Sequence, residues 1–174
     1  MDIILNSIML FSLISTPLDT FESKAYKLYT SNTKIQRRKN QKIQSEDINN
    51  LMIEIDNNFN IISNLLQEKN TLSQNIKQKF NDKIKSKEKL SKQQMTCYQE
   101  YTSIVCEEEK NISIYNNKIH NKKDMINLEN EMLSNKNNFG IIYKKLTSIL
   151  NNQIKVIASL YRAIFHLRLS LEVI

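Results

Sequence analysis

Apolar residues recur along most of the chain at alternating spacings of three and four, the period that places them on one side of an α-helix. The most regular run lies in the first half of the chain and consists of Ile48, Met52, Ile55, Phe59, Ile62 and Leu66. Glycine and proline, the residues that allow sharp turns or break helices, occur once each, as Gly140 and Pro17. The pattern therefore predicts an all-α protein with long helices, in which the six apolar residues form the seam of a coiled coil.

Changes in this pattern divide the chain into three parts. Residues 1–33 hold an apolar segment and then a short helix, whose start is marked by a capping threonine and a proline at 16 and 17. Residues 34–138 are predicted to form a coiled-coil rod, or a helical hairpin if the chain folds back near Leu90, where apolar residues become sparse. The asparagine-rich stretch 135–140 is the predicted loop before the last part, because Asn and Gly tolerate the left-handed conformation that ends helices.

The third part, residues 139–174, is the most apolar of the chain and is predicted to be one helix. Its apolar stripe is wider than a two-stranded seam, so we expect other helices to surround it. Either the two apolar ends of the chain pack on each other as a small bundle, or partner proteins cover them. The residues expected to dock onto partners are Ile154, Ile157, Leu160, Tyr161, Ile164, Leu167 and Leu171.

The net charge of the chain is +7, and lysines cluster most densely in one stretch. Residues typical of AT-rich codons dominate the composition, so part of this lysine excess reflects codon usage. We expect most of the stretch to be a solvated face, since lysines two apart step about 200° around a helix. Contact with an acidic protein, an anionic membrane surface or nucleic acid is the alternative. The candidate anion-contact residues are Lys77, Lys79, Lys83, Lys85, Lys87, Lys89 and Lys92.

Candidate catalytic and metal-binding residues are few. Cys97 and Cys106 are nine residues apart, which puts them on opposite sides of a helix and predicts free thiols in a reducing, intracellular compartment. The two histidines, His120 and His166, have no partner at zinc-site spacing. The consecutive acids 107–109 are predicted to form a solvated face. We therefore expect no catalytic site, no metal, no cofactor and no small-molecule substrate.

The first apolar segment, residues 3–14, is too short to span a bilayer, and it lacks the basic start and small-residue cleavage site of a signal peptide. Together these features favour a non-catalytic coiled-coil assembly or scaffold subunit that binds other helical proteins, as a homo- or hetero-oligomer, through its C-terminal helix. The alternative is an exported or self-assembling, filament-type protein whose apolar ends coil together. A weaker alternative is a basic adaptor on nucleic acid or a membrane surface.

Overall fold

The computed structural model describes residues 43–119, 126–128, 130–131 and 139–174. It contains three long helices: α1 (Ser45–Ser86), α2 (Lys92–Asn116) and α3 (Phe139–Val173). Residues 126–128 and 130–131 are also helical, and no strand occurs in the described ranges. The predicted all-α fold is thus confirmed, whereas the predicted N-terminal apolar segment and short helix, residues 1–33, lie outside the described residues.

The chain reverses direction between α1 and α2 without glycine or proline. Helix α1 ends at Lys87, whose φ of 57° is left-handed and closes the last turn. Four residues after Lys87, Ser91 caps the start of α2, because its Oγ accepts a hydrogen bond from the Gln94 amide at 3.2 Å. The Gln94 side chain in turn accepts one from the Ser91 amide at 2.8 Å. This reciprocal capping box satisfies backbone donors that would otherwise be unpaired.

Side-chain contacts show that α1 and α2 run antiparallel as a helical hairpin. Near the turn, the rings of Phe80 and Tyr98 meet edge to face with centroids 4.7 Å apart. Farther from it, Lys69 Nζ lies 2.5 Å from a carboxylate oxygen of Glu109. Each pair is symmetric about residue 89, as expected for two helices that fold back around that point. The hairpin, rather than an unbroken rod, is therefore the architecture of this part of the chain.

Helix α3 packs along both helices of the hairpin. It runs parallel to α1, since Gln153 donates a hydrogen bond to the Ile55 carbonyl while Arg168 pairs with Glu68 further along both helices. It runs antiparallel to α2, because Gln94, at the start of α2, bonds the carbonyl of Val173 at the end of α3. The described residues thus form a three-helix, up-down-up bundle.

The buried face of α1 is broader than the predicted seam. Ile48, Ile55 and Ile62 are buried as seam residues should be, while Met52, Phe59 and Leu66 are half-buried. A second set, offset by one position from those three, is buried instead: Leu51, Asn58 and Leu65. A helix in a three-helix bundle is covered over a wider arc than one in a two-stranded coil, which accounts for the difference.

The start of α3 corrects the predicted loop. Phe139 and Gly140 are helical, and residues 135–138 lie outside the described ranges. Gly140 has no positive φ, and a Cβ atom added there would have no neighbour within 4 Å. Because a helix tolerates a single glycine at a cost of about 0.5–1 kcal/mol relative to alanine, the residue type alone was a poor guide to this boundary.

Candidate functional site

The predicted docking stripe of α3 faces the interior of the bundle over much of its width. Leu160 is 0% exposed and Ile157 1% exposed, and Ile164 and Leu167 are also buried. Leu167 belongs to a core cluster with Ile76 of α1 and Val105 of α2, against which Leu171 packs as a half-buried residue. These side chains therefore hold α1, α2 and α3 together within one chain.

A flank of the same helix is only partly covered. Ile154, Ala158, Phe165 and Leu169 are each half-buried, and their spacings of four, seven and four place them along one side of α3. Tyr161 lies on this flank as well and is also half-buried. The wide apolar stripe of α3 therefore has two parts. One part faces the hairpin, and the other lies at the surface of the bundle.

A charged pair joins α2 to α3 next to this stripe. The guanidinium of Arg162 donates two hydrogen bonds to the carboxylate of Glu108, with Nε to Oε1 at 2.7 Å and Nη2 to Oε2 at 3.1 Å. The Glu108 side chain is 10% exposed and that of Arg162 is 47% exposed. The prediction that residues 107–109 form a solvated face is wrong for Glu108, although Glu107 and Glu109 are exposed.

A sequence signal for this pair existed. Glu108 falls between the buried residues Val105 and Ile112 at helical spacing, so it shares their inward face. Arg162 interrupts the most apolar helix of the chain, and a charge in such a place needs a partner. The bidentate geometry occupies both carboxylate oxygens of Glu108, which leaves this group engaged rather than poised as a general base.

His166 lies one turn beyond Arg162 on α3, in contact with aromatic rings. Its ring centroid is 5.2 Å from that of Phe165 and 5.9 Å from that of Tyr101 on α2. Burial lowers the pKa of His166, and the negative charge of Glu108 opposes this effect. Burial also raises the pKa of Tyr101, assisted by Cys97 and the nearby acids. Both groups are therefore held in their neutral forms, as expected of packing residues.

Two buried amides form a polar layer between α1 and α3. Gln153 is 0% exposed, and its Nε2 donates a hydrogen bond to the Ile55 carbonyl at 3.0 Å. Asn58, one turn farther along α1, is 4% exposed. Gln153 Oε1 and Asn58 Nδ2 are buried without a hydrogen-bond partner among the described groups. Asparagines occur throughout the chain, at exposed and buried positions alike, so nothing in the sequence pattern marked Asn58 as internal.

The lysine stretch is gathered at one end of the bundle. It spans the last turns of α1, the connection and the first residue of α2, and every member except Lys83 is exposed. Lys79 Nζ donates to the carbonyl of Leu171 at 2.9 Å, and Lys83 Nζ lies 3.6 Å from Glu88. The predicted solvated face is thus the tip of the hairpin. The angular positions of the lysines around a helix did not predict that they would lie together at one end of the bundle.

The remaining candidate ligands stay apart. Cys97 is half-buried and Cys106 exposed, both as free thiols, and His120 lies outside the described residues. In the part of the chain that the structure describes, no three His, Cys, Asp or Glu side chains come together as candidate metal ligands. Nor does any helix of those ranges combine the length and apolar character that crossing a membrane requires.

Comparison with known proteins adds no relative to this picture. No protein-family model matches the chain, and neither the curated proteins nor the solved structures yielded a match.

Proposed function

We propose that this chain is a non-catalytic assembly subunit that joins other helical proteins through the outward flank of α3. The observation that supports the proposal is the excess width of the α3 stripe, since Ile154, Phe165 and Leu169 are not fully covered by the hairpin. A partly exposed apolar flank on a rigid helix suits a helix of a partner protein, which would bury it by coiled-coil-type packing. The buried face of α3 supplies the rigidity by fixing that helix on α1 and α2.

A non-catalytic role also agrees with the polar groups at the α2–α3 contact. Glu108 is engaged by Arg162, and burial favours the neutral form of His166. These side chains stabilise the packing of the two helices. Under this proposal the stability of the bundle and the strength of partner binding depend on different residues of the same helix.

The proposal is best tested by a substitution on the outward flank of α3 that leaves the buried core residues unchanged. Leu160→Asp is unsuitable, because Leu160 is completely buried and its loss would unfold the bundle. Ile154→Asp places a charge on the half-buried flank instead, and Ser148→Asp is its matched control at an exposed position of α3. Circular dichroism should show that both variants keep the helical content of the parent chain.

The measurement is affinity purification of the tagged full chain from its native cell, followed by determination of stoichiometry by light scattering. We expect a fixed set of partners with the parent chain and with Ser148→Asp, and loss of that set with Ile154→Asp. An unchanged set with Ile154→Asp would contradict docking through α3. Recovery of the chain alone, with a mass that grows with concentration, would favour the self-assembling, filament-type alternative.

A further inference from the structure

We propose that the hairpin tip, residues 77–92, binds membrane surfaces that are rich in anionic lipids. The tip contains seven lysines and two acids, so its 16 residues carry a net charge of +5 out of +7 for the whole chain. Fold topology concentrates this charge, because the end of α1, the connection and the start of α2 meet at one end of the bundle. The inference is independent of partner docking through α3.

The charges at the tip are available to a ligand. Residues 84–89, which are the last residues of α1 and the first part of the connection, are all exposed, whereas Leu90 is half-buried. Lys79 and Lys83 interact with neighbouring oxygens of the chain. Within the described residues, no ion pair involves the remaining lysines of the tip, which are Lys77, Lys85, Lys87, Lys89 and Lys92.

An apolar residue stands among these charges. Ile84 is 72% exposed, the largest exposure among the large apolar side chains of the described residues, and its chain neighbours are Lys83 and Lys85. Most of this isoleucine is therefore left uncovered by the bundle. At a lipid surface it would enter the boundary between headgroups and acyl chains, while the flanking lysines reach anionic headgroups through their flexible stems. Ile84 thus distinguishes a lipid surface from a purely electrostatic ligand.

The tip is less suited to nucleic acid. It contains no arginine, the residue that binds phosphates and guanine in bidentate fashion. Phe80 is its one aromatic residue, and that ring is packed edge to face on Tyr98 and so is not free to stack on a base. Exposed lysines distributed along the end of a helical hairpin can meet a broad surface of diffuse negative charge, such as a bilayer.

The test is co-sedimentation of the full chain with phosphatidylcholine vesicles, with and without an equal share of phosphatidylserine. We expect binding only to the anionic vesicles, and weaker binding as salt is raised. Each lysine near an anionic surface strengthens binding about five-fold, so the triple variant Lys85→Gln, Lys87→Gln and Lys89→Gln should bind about a hundred-fold more weakly. Ile84→Ser should weaken binding about ten-fold while keeping the same salt dependence.

A matched control removes three exposed lysines elsewhere: Lys110→Gln, Lys144→Gln and Lys145→Gln. It lowers the net charge by the same amount but leaves the tip intact, so it should retain most of the binding. Equal loss in both triple variants would overturn the proposal, since binding would then follow net charge alone. It would also be overturned by equal binding to the two kinds of vesicle. Preferential binding to a DNA duplex, with Ile84→Ser unaffected, would reassign the tip to nucleic acid.

Discussion

The pair between Arg162 and Glu108 predicts an unequal cost for removing its two partners. Arg162→Met leaves a carboxylate that is only 10% exposed without its two charge-assisted hydrogen bonds. Breaking a fully buried pair costs about 3–5 kcal/mol. Because the Arg162 side chain is 47% exposed, water already screens the pair, and we expect a smaller loss of about 2–3 kcal/mol.

The reverse change should cost less. Glu108→Gln keeps the size of the side chain and one acceptor oxygen, and the half-exposed guanidinium of Arg162 can turn towards water. We expect a loss of about 1 kcal/mol. The two variants should therefore differ by about 1–2 kcal/mol, which is about ten-fold in the unfolding equilibrium. The double variant Glu108→Leu, Arg162→Met should lose less free energy of unfolding than Arg162→Met alone, because no unpaired charge remains buried.

The assay is urea unfolding at neutral pH, followed by far-ultraviolet circular dichroism, with the free energy of unfolding obtained by linear extrapolation. Arg168→Met is the matched control, since Arg168 pairs with Glu68 through side chains that are 54% and 38% exposed. This exposed pair should contribute less than about 1 kcal/mol. If Glu108→Gln destabilised the bundle as much as Arg162→Met, burial of the carboxylate would not be the cause of the asymmetry.

Three further predictions concern stability. Burial lowers the pKa of His166, so the unfolded chain binds its proton at higher pH than the folded chain does, and stability should fall as pH drops below about 6.5. Thermal unfolding measured from about pH 7.5 to about pH 5.5 should show a loss of stability with falling pH that is smaller in His166→Phe than in the parent chain. An identical pH dependence in that variant would exclude His166 as its source. Gly140→Ala should raise the free energy of unfolding by about 0.5–1 kcal/mol, since the position is helical with open space around it; destabilisation would contradict that backbone assignment. Gln153→Leu should be neutral or stabilising by about 1 kcal/mol in urea unfolding, because it removes a buried amide oxygen without a partner; a loss above about 2 kcal/mol would mean that the polar layer is fully satisfied.

Periodicity was sufficient to predict the helices and the role of α3 as the most enclosed one. The alternating run from Ile48 to Leu66 marked α1, and the sparse region around Leu90 contains the connection of the hairpin. The spacing of the apolar residues did not determine which side of α1 is buried. Positions 48, 55 and 62 belong both to the predicted seam and to a second stripe with positions 51, 58 and 65. Which stripe is buried depends on where the neighbouring helices lie, and that is tertiary information.

Features that depend on distant pairs could not be predicted in the same way. Glu108 and Arg162 are 54 residues apart in sequence, and only the fold brings them together. The lysines appeared dispersed around a helix, yet the chain reversal at Lys87 collects them at one end. Asn58 and Gln153 resemble ordinary surface residues, because a buried amide differs from an exposed one only in its surroundings. The partner-docking role of α3 remains a prediction.

The short capped connection between α1 and α2 has a consequence for the order in which the bundle folds. The contact between Lys69 and Glu109 closes a segment of 40 residues, whereas that between Glu68 and Arg168 closes 100. Loop-closure entropy rises with the length closed, so the short connection should bring α1 and α2 near each other early, although both helices pack mainly on α3 rather than on each other. Until α3 docks on these two helices, its wide apolar stripe is uncovered on every side. We therefore expect folding to pass through a stage in which this stripe is exposed, and the Ser91 cap, by holding the two receiving helices near each other, should shorten that stage.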